Sequence, residues 1–91
     1  DPLGEAIERI KLMEQAGARS VYPVALADAD QVAQAVQAVG IPVNVTAHPV
    51  KAHAAGDLAA LRELGVRRVS FGPLWQMWLA EVSGKQLGEW L

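Results

Sequence analysis

Cysteine is absent from the 91 residues, which excludes disulfides, thiolate metal sites and a thiol nucleophile among them. No apolar run approaches the roughly 20 residues needed to cross a bilayer, and no basic-then-apolar leader is present. A soluble chain with no export signal of its own is therefore expected, compatible with a cytoplasmic location. The net charge is only −2, and the adjacent pair Arg67 and Arg68 is too small to give an electrostatic footprint for nucleic acid. What is abundant is apolar surface: 52 % of the residues are hydrophobic, slightly above the roughly 45–50 % usual for globular chains, which argues against disorder. The length fits one small domain.

Three times an amphipathic helix pattern runs into a glycine and then into a short β-branched strand: Ala16-Gly17 before Val21, Val39-Gly40 before Val43, and Leu64-Gly65 before Val69. The first helix starts at Asp1-Pro2, with Asp1 as cap and Pro2 at the position where a missing N–H costs nothing. Leu3, Ala6, Ile7, Ile10 and Met13 form its buried stripe, with Glu5 and Arg9 paired outside. Residues 20–24 read as the first strand, Pro23 lying near its end because it cannot donate to a ladder. Asp28 caps a second helix carrying Val32, Val36 and Val39, which Gly40 stops ahead of the strand Val43 to Thr46. The loop from Ala47 to Gly56 carries His48, Lys51 and His53, and its length marks it as functional or mobile. Without a carboxylate at ligand spacing, the two histidines read as solvated loop residues rather than metal ligands. Asp57 caps a short helix with Leu58, Leu61 and Leu64 inward, and Gly65 releases the strand holding Val69, Ser70 and Phe71. A last helix starts near Gly72-Pro73, is broken at Ser83-Gly84, and gives way to a final turn over Gln86 to Leu91.

The glycines at 17, 40 and 65 stand 23 and 25 residues apart, close to one strand, one helix and two short loops, as in stacked right-handed βα units. Side-chain parity then separates two architectures. With Val21, Pro23, Val43, Val45, Val69 and Phe71 toward helices, the other face presents Ser20, Tyr22, Val24, Asn44, Thr46, Ser70 and Gly72. That composition is wrong for a second helical layer but suits the interior of a barrel near its active-site mouth. The expected fold is thus α/β, three parallel strands alternating with helices, as the later part of a TIM-type (βα)8 barrel. A whole barrel needs about 250 residues, so residues 1–91 are expected to form a single partial-barrel segment, completed by more chain, by other chains or by copies of itself.

The run Ala16-Gly17-Ala18, the strand ending Tyr22-Pro23, the segment Ile41-Pro42-Val43-Asn44-Val45-Thr46 and the stretch LRELGVRRVSFG from Leu61 to Gly72 together resemble the C-terminal part of the isocitrate lyase/phosphoenolpyruvate mutase superfamily, in its phosphonomutase-like branch. The resemblance spans essentially the whole chain. It implies a Mg2+-dependent enzyme that makes or breaks C–C or C–P bonds in small 2-oxo or 2-hydroxy carboxylates, a small carboxylate or phosphonate being the substrate. It also implies that the metal-holding carboxylates, the gating loop and a substrate-binding arginine precede Asp1, leaving no catalytic residue or metal ligand here. Asn44 and Thr46 match the family's Asn-x-Thr at the end of the seventh strand, where the polar groups help orient a substrate carboxylate. The lyase branches carry an acidic residue where this chain has Val24, which moves the expectation away from methylisocitrate-type lyases.

Asn44, Thr46, Ser70 and Gly72 are accordingly the candidate substrate-binding residues, with no catalytic residue and no metal ligand in the segment. The Asn44 amide can donate to a carboxylate or enolate oxygen while accepting from a neighbour; alternatively it satisfies a network inside the barrel. Thr46 serves either as a ligand contact or for strand propensity alone. Ser70 and Gly72-Pro73 open the last helix, whose backbone N–H groups can take an anion, although Gly-Pro is also a plain turn. Tyr22 reads as barrel filling, and Arg67 and Arg68 as solvated charges on the far side. The last helix shows two apolar stripes, one of Leu74, Met77 and Trp78, the other of Trp75, Trp78, Leu79 and Val82, so it should be buried on more than one side. Relatives exchange their eighth helix between subunits, which implies a homo-oligomer held through Trp75, Trp78, Leu79 and Val82. The alternative is that these tryptophans cover the barrel's own wall. Three functional classes remain: pocket wall and subunit contact of a lyase/phosphonomutase-like enzyme, a non-catalytic module that folds by association, and a phosphate-binding barrel half argued only from Gly72-Pro73.

Overall fold

Helix ends punctuate this chain, and two of its three repeated glycines act as the sequence implies. The computed structural model describes residues 1–91. Its elements are α1 (Pro2–Gln15), α2 (Ala29–Ala38), β1 (Asn44–Thr46), α3 (Leu58–Glu63), β2 (Arg68–Ser70) and α4 (Leu74–Gly88). After α1 the N–H groups of Gly17 and Ala18 turn back to the carbonyls of Glu14 and Met13, and after α3 those of Gly65 and Val66 reach Arg62 and Leu61. Both closures need a left-handed residue, and Gly17 and Gly65 have φ of +101° and +94°. Gly40 works differently. The residue ahead of it, Val39, is already extended, and the Gly40 N–H donates to the Glu14 carboxylate at 2.7 Å, tying the end of α2 to α1.

The caps of α2 and α3 follow the sequence: Asp28 accepts from the Gln31 N–H and Asp57 from the Ala60 N–H, each at 2.9 Å. Gln31 reaches back to the Ala27 N–H at 2.8 Å, so both ends of that turn are satisfied. The start of α1 departs from expectation. Asp1 occupies the cap position without a side-chain cap bond, and Glu5 and Arg9 form no ion pair; the single one in the chain joins Lys85 to Glu81 at 3.5 Å on exposed α4.

β1 and β2 pair in parallel, with Val45 opposite Val69 and Thr46 opposite Ser70. The expected first strand shrinks to one parallel bridge between Val21 and Val43, made by the Val21 N–H to the Pro42 carbonyl and the Asn44 N–H to the Val21 carbonyl. The next donor in that ladder would be residue 23, a proline, so the strand ends there. The result is an α/β arrangement with a small parallel sheet.

The core lies on one side of that sheet. Val21, Val43 and Val45 pack with Ile10 from α1, Val32 and Ala35 from α2 and Leu61 from α3, all at most 4 % exposed. Burying a leucine such as Leu61 contributes about 1.5–3 kcal/mol. Two expected inward residues are not inside. Met13 is exposed at the rim of an open groove of about 310 Å³ between α1 and Tyr22-Pro23-Val24, and Leu58 is exposed beside a second groove of about 510 Å³ that includes Val50, Val69 and Phe71. In both places an apolar surface lacks a covering element.

The last helix is the largest departure. It continues through Ser83-Gly84 to Gly88, because a mid-helix glycine costs only about 1 kcal/mol against alanine and both flanks favour helix. Instead of being enclosed, α4 has no buried residue. Trp75, Met77, Leu79 and Val82 are all exposed, and the chain measures 55 × 24 × 24 Å.

Candidate functional site

The face of the sheet opposite the core carries a row of polar side chains joined across the strands. Alternation along β1 sends Val45 inward, and Asn44 and Thr46 to the other side. The parallel register places Ser70 beside Thr46, and the Val21–Val43 bridge brings Tyr22 alongside. Asn44 Nδ2 donates to Ser70 Oγ at 2.9 Å, and the hydroxyls of Tyr22 and Thr46 are hydrogen-bonded to each other. The sheet parity expected from sequence is thus the parity found.

Burial divides these residues by depth. Asn44 is 8 % exposed, Thr46 and Ser70 are half-buried, and Tyr22 and Gly72 are exposed. The amide of Asn44 is turned opposite to the expectation: it gives its N–H to Ser70 and leaves Oδ1 buried with no partner. A buried, unpaired carbonyl oxygen costs about 1–3 kcal/mol. Ser70, as a hydroxyl, can accept this bond and still donate its own hydrogen.

Gly72 closes the row from above. It adopts φ +51°, and a Cβ placed on it would lie 3.7 Å from Thr46 Cγ2, so this turn sits directly over the Thr46 side chain. The Leu74 N–H at the start of α4 is used by the Phe71 carbonyl at 2.8 Å. A cavity of about 270 Å³ opens beside Thr46, bounded by Tyr22, Val24, Leu26, Val45, His53 and Leu74 among others; Asn44, Ser70 and Gly72 do not line it. Val24 is exposed at its edge.

The histidines of the 47–56 loop hold its turns. His48 Nδ1 accepts from the N–H groups of Val50 and Lys51, both at 3.0 Å, and His53 Nδ1 accepts from the Ala55 N–H at 2.9 Å. Each ring therefore carries its hydrogen on Nε2. This role was hidden in the sequence, as was that of the Tyr22 hydroxyl: parity puts Tyr22 on the polar face, but the bridge register sets it opposite Asn44, and only its side chain reaches Thr46. Arg68 begins β2, opposite Asn44, with its side chain exposed at the end of the strand away from Gly72.

The side chains of this face are three hydroxyls, one amide and, at its far end, the exposed guanidinium of Arg68, which begins β2 in register with Asn44 rather than preceding the strand. Mg2+ is bound through one or two carboxylates with water and substrate oxygens, and no cluster of three acidic or histidine side chains exists in the chain. These residues do not fit a Mg2+ site. No helix is long and apolar enough to cross a membrane.

No curated protein matches the chain significantly. Among solved structures, it is similar to a protein from Burkholderia cenocepacia J2315 provisionally described as a lyase/mutase, with a TM-score of 0.84 and 32 % identity over 96 % of this chain. The chain spans 31 % of the length of that structure. The model of the phosphoenolpyruvate phosphomutase family matches residues 1–89. The chain belongs to this family, within the isocitrate lyase/phosphoenolpyruvate mutase superfamily.

Proposed function

We propose that these residues form the C-terminal part of a TIM-type barrel enzyme of the lyase/phosphonomutase kind, one that makes or breaks C–C or C–P bonds in small 2-oxo or 2-hydroxy carboxylates. The family is generally Mg2+-dependent, and the metal would supply charge stabilisation to an enolate-like species from ligands outside this segment. The share of this chain is one wall of the pocket. Thr46 and Ser70 donate from their hydroxyls to the substrate's carboxylate or phosphonate, Gly72 leaves room above Thr46, and Asn44 holds Ser70 from beneath. Val24 in place of an acid favours phosphonomutase-like chemistry over a methylisocitrate-type lyase.

One observation supports this reading above the others: four polar side chains lie on a single sheet face and are hydrogen-bonded across it, opposite a face of buried valines. A sheet face that served only packing has no use for them. The position at the C-terminal ends of the strands is where barrel enzymes assemble their sites.

The subunit role rests on α4. Its exposed apolar stripes, with no residue buried, fit exchange with a second copy through Trp75, Trp78, Leu79 and Val82, and the groove along Val69 and Phe71 supplies a surface of matching character. The same observation favours the alternative of a module that folds by association without chemistry of its own. The test is Mg2+-dependent turnover of oxaloacetate or phosphonopyruvate by the full-length protein carrying these residues. Turnover lost in Thr46→Val and Asn44→Ala with folding intact supports the enzyme; an ordered, oligomeric and inert protein supports the module.

A further inference from the structure

Tyr22 is the residue of the polar face that the family pattern leaves without a role. It precedes the buried Pro23, and its hydroxyl reaches across to Thr46. Two hydroxyls sharing one hydrogen bond have a preferred direction. Either hydroxyl can be the donor; a phenol is the stronger one, and with Tyr22 donating to Thr46 Oγ1 the Thr46 hydrogen is left to point elsewhere. The methyl of Thr46 faces the Gly72 turn, and the cavity beside it is bounded by Tyr22 and Thr46 together.

The second pair on this face has the same polarity. Asn44 Nδ2 donates to Ser70 Oγ, which likewise leaves the Ser70 hydrogen free. Thr46 and Ser70 are register partners on adjacent parallel strands, about 4.8 Å apart. Two neighbouring hydroxyls, each already loaded as an acceptor, each keep a hydrogen to donate. Their common complement is an oxyanion with more than one oxygen.

We propose that Tyr22 is a positioning residue, which by donating to Thr46 fixes the Thr46 hydroxyl as a donor to the anionic group of the ligand. This inference rests on the reading of the face as a carboxylate or phosphonate site and adds to it the element that sets hydroxyl direction. Without the phenol, the Thr46 hydrogen is free to turn away, and the ligand must restrain it on binding. The loss appears in affinity and not in folding, because the Tyr22 side chain is about half exposed and phenylalanine fills the same volume.

The test uses the full-length protein and malonate as probe, with dissociation constants from calorimetry and melting temperatures recorded for each variant. Tyr22→Phe is expected to weaken malonate binding about threefold to tenfold, the worth of one neutral hydrogen bond, at an essentially unchanged melting temperature. Thr46→Val weakens it at least as much, Thr46→Ser retains the wild-type affinity, and Tyr22→Phe combined with Thr46→Val is no weaker than Thr46→Val alone. Unchanged affinity in Tyr22→Phe overturns the proposal, and so do additive effects in the double variant, which would mean that Tyr22 acts by itself. A wild-type protein that does not bind malonate overturns the anion-site reading, and this inference falls with it.

Discussion

Replacing Asn44 with leucine should leave the protein as stable as before or more so, while weakening its hold on an anionic ligand. Asn44 is 8 % exposed, it makes one side-chain hydrogen bond, to Ser70, and its Oδ1 is buried without a partner. The bond contributes about 0.5–1.5 kcal/mol and the unpaired oxygen costs about 1–3 kcal/mol. Leucine has nearly the same volume and removes both, and half-buried Ser70 can turn to water. The balance runs from about zero to about 2 kcal/mol in favour of the variant. For proteins of about 150–250 residues, 1 kcal/mol corresponds to about 2–4 °C, so the melting temperature should rise by up to about 8 °C. One residue further along the strand the sign reverses: Val45 faces the core at 2 % exposure, and Val45→Ala should cost about 2 kcal/mol. The assay is paired thermal denaturation and malonate calorimetry on the full-length protein. A loss of more than about 1 kcal/mol in Asn44→Leu would mean that the amide is satisfied and structural, and would refute the assignment of this residue to a ligand-binding face.

Other expectations follow from the same geometry. Gly65→Ala should lose about 2–3 kcal/mol in urea denaturation, since φ is +94° and the new Cβ would lie 2.8 Å from Val36 Cγ1, whereas Gly40→Ala, at an ordinary φ, should lose less than half of that. Glu14→Gln replaces a charged acceptor of the Gly40 N–H by a neutral one and should cost about 0.5–1 kcal/mol by the same measurement. Trp78→Asp together with Leu79→Asp should shift the full-length protein toward smaller species in sedimentation, while leaving the circular dichroism of each remaining subunit helical. An unchanged sedimentation profile would remove α4 from the subunit contact.

The alternation in Val43-Asn44-Val45-Thr46 was enough to place both faces of the sheet, because a strand offers only two directions and one of them needed covering. The register that brings Ser70 to Thr46 was implicit in the matching strand ends. What the pattern did not carry was the price of local chemistry at single positions. Pro23 silenced the next donor of the first ladder, so residues 20–24 kept one bridge. Gly40 resembles Gly17 and Gly65 in spacing, yet it lacks their positive φ and gives its N–H to the Glu14 carboxylate 26 residues away. Ser83-Gly84 looked like a break, but two weak helix formers inside a 15-residue helix do not outweigh their flanks. The apolar girth of α4 was plain in the sequence; what covers it depends on surfaces beyond these residues. Tyr22 was missed for a different reason: a tyrosine in a strand fits packing and hydrogen bonding equally well, and only the pairing of its hydroxyl with Thr46 separates them.

The most direct test of the central claim, that the face bearing Tyr22, Asn44, Thr46 and Ser70 is the ligand-binding wall, is a crystal structure of the full-length protein with malonate bound. The account predicts carboxylate oxygens within about 3 Å of Thr46 Oγ1 and Ser70 Oγ, with the Tyr22 hydroxyl still on Thr46. Malonate bound elsewhere, with this face packed against another segment of the protein, would contradict it.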